Sequence, residues 1–234
     1  MLFALGLGKS VVGDTVYCNY PLAALKVAKI GDVNTSYEKV LALRPDLIVA
    51  DAVANSRAVT RLKQLRQPVL AVRPTSFSGV EDSLRQIGAR TGTGSQAALV
   101  VAGMERKAQA ASFLETRDGH PKPRVLIVVQ TAPLWTAGNG SFLDDLVTRA
   151  GGINIGHRVP GYGAFSKELI LAGPPDVVLG DSSVQAAVRT DPFLRRLAAV
   201  RRDSVYILPA DLTSRPGPRL ADGLLLLAKM LHGK

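Results

Sequence analysis

The sequence predicts an α/β protein of two similarly built lobes with parallel-rich sheets, joined by one long helix and holding a ligand cleft between them. The main observation is a motif that occurs twice: residues 36–51 (SYEKVLALRPDLIVAD) align without a gap with residues 166–181 (SKELILAGPPDVVLGD), 130 positions later. Each copy has a Ser that can cap a helix, a Glu in the first turn, an apolar stripe, a Pro-Asp stop and an apolar run that ends in Asp. This pattern is typical of a short helix that leads into a buried parallel strand.

The first lobe, residues 1–90, is predicted to alternate strands and helices after an irregular start. Its beginning resembles the last turns of a helix, Met1–Leu7, before a strand at Val11–Thr15 and a polar aromatic turn. After the repeated helix, the predicted elements are a strand at Leu47–Ala50, a helix over Arg57–Leu65, a strand at Pro68–Val72 and a helix over Phe77–Arg90.

Residues 91–116 are predicted to form the connecting helix, because Gly92–Glu115 is rich in Ala and other helix formers and contains no strand pattern. About 22 helical residues would span roughly 33 Å at a rise of 1.5 Å per residue. The polar stretch Thr116–Pro123, which contains Gly119 and two prolines, ends this helix.

The second lobe, residues 117–234, repeats the alternation and leaves its longest irregular segment at 151–165. Ligands usually bind in loops at the carboxyl ends of parallel strands, so this segment and the later loop are candidates. The predicted elements are strands at Arg124–Gln130, Pro133–Gly138, Val177–Leu179 and Val205–Leu208, helices at Ser141–Ala150, Asp191–Val200 and Arg219–Leu231, and a loop at Pro209–Pro218.

Composition and motifs argue against several classes of protein. The net charge is +10, but the basic residues are dispersed and their densest cluster, Arg195–Arg196 with Arg201–Arg202, lacks interleaved aromatics, so we expect a solvated face and no nucleic-acid partner. Three histidines and one cysteine are too few to predict a transition-metal site, and no catalytic residue is proposed. The adjacent Asp144 and Asp145 do not face each other on a helix, which disfavours an enzyme.

Five stretches together resemble the periplasmic substrate-binding proteins of ABC importers for vitamin B12, iron-siderophores and haem. They are FALGLGKSVVG, YPLAALKVAKIGD, SYEKVLALRPDLIVAD, WTAGNGSFLDDLVTRAGGINI and FSKELILAGPPDVVLG. The resemblance implies a periplasmic or other extracytoplasmic monomer that delivers a large ring-shaped ligand to a permease dimer. Members normally begin with a signal peptide and a strand, so we expect this chain to lack both. A cytoplasmic regulatory or scaffold protein is the alternative if no leader is encoded.

The resemblance also implies roles for particular residues. Glu38 and Glu168 match the glutamates that pair with permease arginines, although each could instead only complement its helix dipole. Cobalamin or a related corrinoid is the first ligand expected, bound without a further cofactor. The candidate ligand-binding residues are Tyr17, Tyr20, Asp32, Trp135, Tyr162, Phe165, Asp211 and Arg215.

Two other ligands stay open. A haem iron could be held by Tyr162 or His157, and an anionic ferric siderophore would suit Arg158 and Arg215. Asp32 lies near the position where the vitamin B12 binding proteins commonly carry a Trp, and this departure weakens the cobalamin prediction.

Overall fold

The computed structural model describes residues 1–32, 34–118, 121–213 and 215–233, and no side-chain detail is given for residues 117 and 118. The chain divides into two compact units. Unit 1 contains residues 1–74 and 78–102, and unit 2 contains residues 75–77 and 103–234. The sequence-based boundaries at residues 90 and 116 stay a prediction.

Unit 1 contains a parallel pair of strands, β1 (Ile48–Asp51) and β2 (Val69–Val72), which pair from Ile48 with Val69 to Asp51 with Val72. Helix α2 contacts both strands. The helices of this unit bury apolar residues such as Val40, Leu62 and Leu84, which are at most 4% exposed. The helices are α1 (Tyr37–Ala42), α2 (Ser56–Gln64), α3 (Phe77–Thr91), whose first residue belongs to unit 2, and α4 (Gly94–Asp118), which continues into unit 2.

The start of unit 1 differs from its prediction. It contains 3-10 turns at Leu2–Leu5, Gly8–Ser10 and Leu22–Lys26, and the predicted strand 11–15 is reduced to one isolated bridge between Asp14 and Lys29. Backbone pairing continues around this bridge, since Asp14 N donates to the carbonyl oxygen of Ala28 at 3.0 Å and Ile30 N donates to that of Asp14 at 2.9 Å. Lys29 Nζ adds side-chain contacts: it donates to Asp14 Oδ1 at 2.6 Å and to the carbonyl oxygen of Ala24 at 2.8 Å. Sequence periodicity could not show this, because the pairing is too short to produce an alternating pattern and the ion pair joins residues 15 positions apart.

Unit 2 contains two sheets. A parallel sheet has the order β6-β3-β8-β9, and a small antiparallel sheet has the order β4-β5-β7. The strands are β3 (Arg124–Ile127), β4 (Gln130–Thr131), β5 (Leu134–Ala137), β6 (Ile153–Asn154), β7 (Tyr162–Ala164), β8 (Val177–Gly180) and β9 (Val205–Ile207).

The helices of unit 2 correct one prediction. Residues 191–200 are not a single helix: a helix covers Ser182–Thr190 instead, where Asp181 caps it by accepting from Ser183 N at 2.8 Å and Val184 N at 3.1 Å. It ends at Thr190 because Pro192 disfavours helical backbone at the residue before it. The helices are α5 (Phe142–Arg149), α6 (Lys167–Ala172), α7 (Ser182–Thr190), α8 (Ala198–Arg201), α9 (Ala210–Thr213) and α10 (Leu220–His232).

Among the described residues, no helix combines the length and the apolar character that a bilayer crossing needs.

Candidate functional site

The two repeated helices, α1 and α6, begin in the same way. The hydroxyl of Ser36 accepts from Lys39 N at 3.4 Å, and that of Ser166 accepts from Leu169 N at 3.3 Å. Each cap leaves an exposed glutamate, Glu38 or Glu168, in the first helical turn. A carboxylate in that turn is stabilised by the partial positive charge of the helix N-terminus. Each unit therefore carries one exposed, charged helix start of matching build.

Hydrogen bonds to the charged form lower the pKa of Glu168 below its ordinary value. The largest cause is the backbone N–H of Glu168 itself, followed by the hydroxyl of Ser166. On the other repeated helix, Ser36 Oγ lies 3.2 Å from Glu38 Oε2 and donates to it. The caps thus hold the Glu168 side chain ionised at the helix start, ready to accept a charged hydrogen-bond donor.

The antiparallel sheet of unit 2 carries two of the aromatic candidates, Trp135 on β5 and Tyr162 on β7. Gln130 and Ala164 both pair with Trp135, and Tyr162 pairs with Ala137, the next residue on the same face. Diagonal neighbours on one sheet face lie roughly 7–8 Å apart, within reach of aromatic side chains. Trp135 is 39% exposed and Tyr162 is 51% exposed, so the two rings form a partly exposed aromatic face.

Partial burial also affects Tyr162 chemically. Desolvation raises the pKa of its phenol above the ordinary value, so the hydroxyl stays neutral and can donate a hydrogen bond. Gln130, which the sequence analysis missed, adds an exposed amide beside Trp135. Its pairing partner could not be deduced before the sheet register was known.

Phe165, in contrast, lies in the core. It is 7% exposed and packs with Leu126, Leu134 and Ile170 in the main apolar cluster of unit 2. The backbone explains why: Phe165 follows Ala164 and so projects to the face opposite Ala164, where Leu134 also lies. Phe165 therefore packs beneath the aromatic face, and its contact with a ligand stays a prediction.

A buried polar network lies beside the aromatic face. The carboxylate of Asp144, whose side chain is 8% exposed, accepts from Asn154 Nδ2 at 2.8 Å and from His157 Nδ1 at 3.0 Å. Asn154 Nδ2 also donates to the Ala137 carbonyl oxygen at 2.7 Å, which ties the network to β5. Because the Asp144 carboxylate accepts, Nδ1 of His157 is the donor in this contact, and the neutral tautomer that fits it has its lone pair on Nε2. The His157 side chain is 59% exposed.

The remaining candidates fall into separate groups. Asp211 and Arg215 form an ion pair at 2.9 Å, as their spacing of four residues suggests. Tyr17 and Tyr20 are 55% and 61% exposed in one loop of unit 1. Asp32 closes a local turn by accepting from Asn34 N at 2.6 Å. Their contacts with a ligand stay predictions.

Within the described part of the chain, no group of three or more His, Cys, Asp or Glu is placed to hold a metal ion.

Comparisons with known proteins agree on one architecture. The sequence model of a family described as periplasmic binding protein matches residues 1–212. An uncharacterised ABC transporter substrate-binding lipoprotein, YvrC of Bacillus subtilis, is 32% identical over 98% of this chain and 76% of its own length. A cobalamin-binding protein of Halobacterium salinarum is 28% identical over 99% of this chain and 66% of its own length.

Two solved structures are similar over nearly the whole chain. The periplasmic vitamin B12 binding protein BtuF of Vibrio cholerae has a TM-score of 0.81 at 26% identity and covers 98% of this chain and 91% of its own. The periplasmic heme-binding protein BhuT has a TM-score of 0.87 at 27% identity and covers 99% of this chain and 93% of its own. These similarities confirm the predicted fold class.

Proposed function

This chain belongs to the periplasmic binding protein family, and we propose that it is the extracytoplasmic substrate-binding component of an ABC importer, which binds cobalamin or a related corrinoid and delivers it to a permease. The proteins that are similar to this chain include a cobalamin-binding protein and a heme-binding protein. The proposed transport role is based on membership of the family. The proposed ligand is based on the exposed aromatic residues of this chain.

The aromatic face of Trp135 and Tyr162 is the observation that supports this proposal. Large aromatic side chains that stay partly exposed on a fixed sheet lose little conformational entropy when a flat ring covers them. The Gln130 Nε2 already donates to the carbonyl oxygens of Ala132 and Pro133, which leaves its Oε1 as an acceptor. This oxygen and the neutral Tyr162 hydroxyl offer hydrogen bonds at the edge of that face, and corrinoids carry amide groups around an apolar ring. The ion pair of Asp211 and Arg215 could contribute further polar contacts.

Delivery to the permease is assigned to Glu38 and Glu168. Both are exposed, both follow a capping Ser, and each opens the repeated helix of its unit. Two equal carboxylates fit a partner that is itself a dimer with one basic site on each subunit. Charge pairing of this kind fixes orientation and accelerates encounter more than it increases affinity.

The experiment that tests the ligand is a titration of the purified chain with cyanocobalamin, haemin and a panel of ferric siderophores. Trp135 fluorescence and calorimetry would follow binding. We expect saturable one-to-one binding of cyanocobalamin, and about 10-fold to 100-fold weaker binding by Tyr162→Ala because a stacked, buried ring surface is lost. Phe113→Ala, at an aromatic residue that is 64% exposed on α4, is the matched control and should bind normally. Failure to bind any of these ligands would refute the proposal.

Haem is the second candidate, and His157 is the observation that favours it. Its Nδ1 is held by Asp144, so Nε2 is available to a metal centre, in the way that a carboxylate orients the ring of a metal-binding histidine. With haemin as the probe, His157→Ala should change the absorption spectrum of the complex while Tyr162→Phe leaves it unchanged. Identical spectra for His157→Ala and the wild type would exclude this residue as the iron ligand.

A further inference from the structure

The densest cluster of positive charge lies on the outside of unit 2, in the stretch that the sequence analysis assigned to a solvated face. We call residues 194–202 the basic segment. It combines a 3-10 turn at Leu194–Arg196 with α8, and it carries Arg195, Arg196, Arg201 and Arg202. Between residues 189 and 203 there are five arginines against two aspartates, so the local charge is strongly positive.

The four arginines of the basic segment are exposed and unpaired. Arg189 is different, because it pairs with Asp203 at 2.5 Å. Asp191 is also occupied, since its carboxylate accepts from the backbone N–H of Phe193 and Leu194, both at 2.8 Å. Over residues 1–32, 34–118, 121–213 and 215–233, none of the segment's four arginines has an ion-pair partner. The cluster therefore presents guanidinium groups that no described carboxylate neutralises.

Packing fixes where these charges lie. Leu194, Leu197, Ala199 and Val200 belong to the buried core cluster and are at most 8% exposed. The apolar residues anchor the segment from beneath, so the intervening arginines must remain outside. Seven steps from Arg195 to Arg202, at a rise of about 1.5–2.0 Å per residue, extend on the order of 10–15 Å. Four charges within that length form a patch rather than scattered solvated groups.

The patch adjoins the helix that opens with Glu168. Lys167 Nζ lies 5.3 Å from the centre of the Phe193 ring, and Phe193 is the residue just before the basic segment. Three residues of chain reach at most about 10 Å, so Arg195 and Arg196 lie close to the start of α6. A partner that receives Glu168 therefore approaches the basic segment as well.

We propose that the basic segment binds the anionic phospholipid headgroups of the membrane that holds the permease. The inference rests on the proposed function, because docking through Glu168 is what brings this side of unit 2 to the bilayer. Guanidinium groups bind phosphate oxygens through paired hydrogen bonds, and they are the preferred side chains for this purpose. Each basic residue near an anionic surface strengthens binding by about fivefold, and salt screens the attraction over a distance of about 8–10 Å.

The test is sedimentation of the purified chain with lipid vesicles, without any permease. We expect binding to phosphatidylcholine vesicles that contain phosphatidylglycerol, little binding to phosphatidylcholine alone, and loss of binding in high salt. Replacing all four arginines of the segment by Ala should weaken binding to the anionic vesicles at least 100-fold. The matched control removes the same four charges at exposed positions of unit 1: Arg57, Arg61, Lys63 and Arg90, each changed to Ala.

Three results would overturn the proposal: no binding of the wild type to anionic vesicles, equal loss in the two quadruple variants, or full competition by inorganic phosphate at the lipid phosphate concentration. The last result would indicate a site for free phosphate. Thermal unfolding of both variants checks that the fold is kept. Glu168→Ala should bind vesicles like the wild type, so failed docking and failed lipid binding are separate outcomes.

Discussion

Single polar side chains terminate the repeated strands in the same way. Asp51 Oδ1 accepts from the N–H groups of Val53 and Ala54, and Asp181 Oδ1 accepts from those of Ser183 and Val184. The two aspartates are 130 residues apart and match in the sequence alignment. Because each interaction reaches only two or three residues along the chain, the residue type and its position after an apolar run are enough to predict it.

Asp181 also makes stability depend on pH. The hydroxyl of Ser183 is the largest cause that lowers the pKa of Asp181 below its ordinary value of 3.8, and backbone N–H groups add to it. A lowered folded-state pKa means that the carboxylate stabilises the fold above the unfolded-state pKa. That stabilisation is lost as the pH falls below about 4, through the folded-state pKa.

We therefore expect Ser183→Ala to raise the pKa of Asp181 and to make unfolding less sensitive to acid in this range. NMR titration of the carboxyl carbon measures the pKa directly. Ser182→Ala, at the exposed neighbour, is the control and should leave the titration unchanged. Equal shifts in both variants would show that general solvation rather than the Ser183 hydroxyl controls Asp181.

At the scale of secondary-structure elements, the repetition is seen in the first turns of helices α1 and α6. Helices α1 and α6 each have six residues, a length that is marginal for an isolated helix, so their caps and packing sustain them. Val40 and Ile170, at 4% and 0% exposure, supply one buried anchor each. The same cap and the same anchor position occur in both copies.

Ser36→Ala and Ser166→Ala should each lower the free energy of unfolding by about 1 kcal/mol, because each removes an N-cap acceptor. Urea denaturation measures both, with Trp135 fluorescence for the unit that contains Ser166 and circular dichroism for the other. Ser→Thr at either position keeps the hydroxyl and should restore most of the loss. A loss at only one of the two serines would contradict the equivalence of the two helix starts.

The secondary-structure elements differ in how well the sequence predicts them. The parallel strands β1 and β8 occur where the repeated motif places them. Helix α7 precedes the helix that is predicted at residues 191–200, because Asp191 and Pro192 together stop a helix rather than start one. The antiparallel strand β7 lay in a segment interpreted as irregular, because three residues are too few to show a period.

At the scale of the whole molecule, the docking proposed for Glu38 and Glu168 predicts a partner with two matching binding sites. Leu41 and Leu171 also match in the alignment and are 39% and 66% exposed, three residues after Glu38 and Glu168. Residues three apart lie on one helix face, so each glutamate has an apolar neighbour that a protein partner can cover.

Glu38→Ala combined with Glu168→Ala should abolish ligand transport through the permease and leave ligand affinity unchanged. The reason is that docking is the role proposed for both carboxylates, and neither of them belongs to the aromatic face. Uptake of radiolabelled cyanocobalamin by cells, compared with calorimetry on the purified variant, measures the two effects separately. Glu105→Ala with Glu115→Ala on α4 is the charge-matched control and should support normal transport. A large loss of ligand affinity in the Glu38 and Glu168 double variant would refute the docking role.

The sequence by itself determined the repeat, its capped helices, its parallel strands and the family to which the chain belongs. These features depend on hydrogen bonds over two or three residues and on apolar periodicity, both of which are local in the chain. Only the tertiary structure decided that Trp135 and Tyr162 share an exposed face, that Phe165 is buried below it, and that Asp144 holds His157. Those arrangements join residues 10 or more positions apart, for example Asp144 and Asn154, and they depend on sheet register and loop packing that no single stretch of sequence specifies.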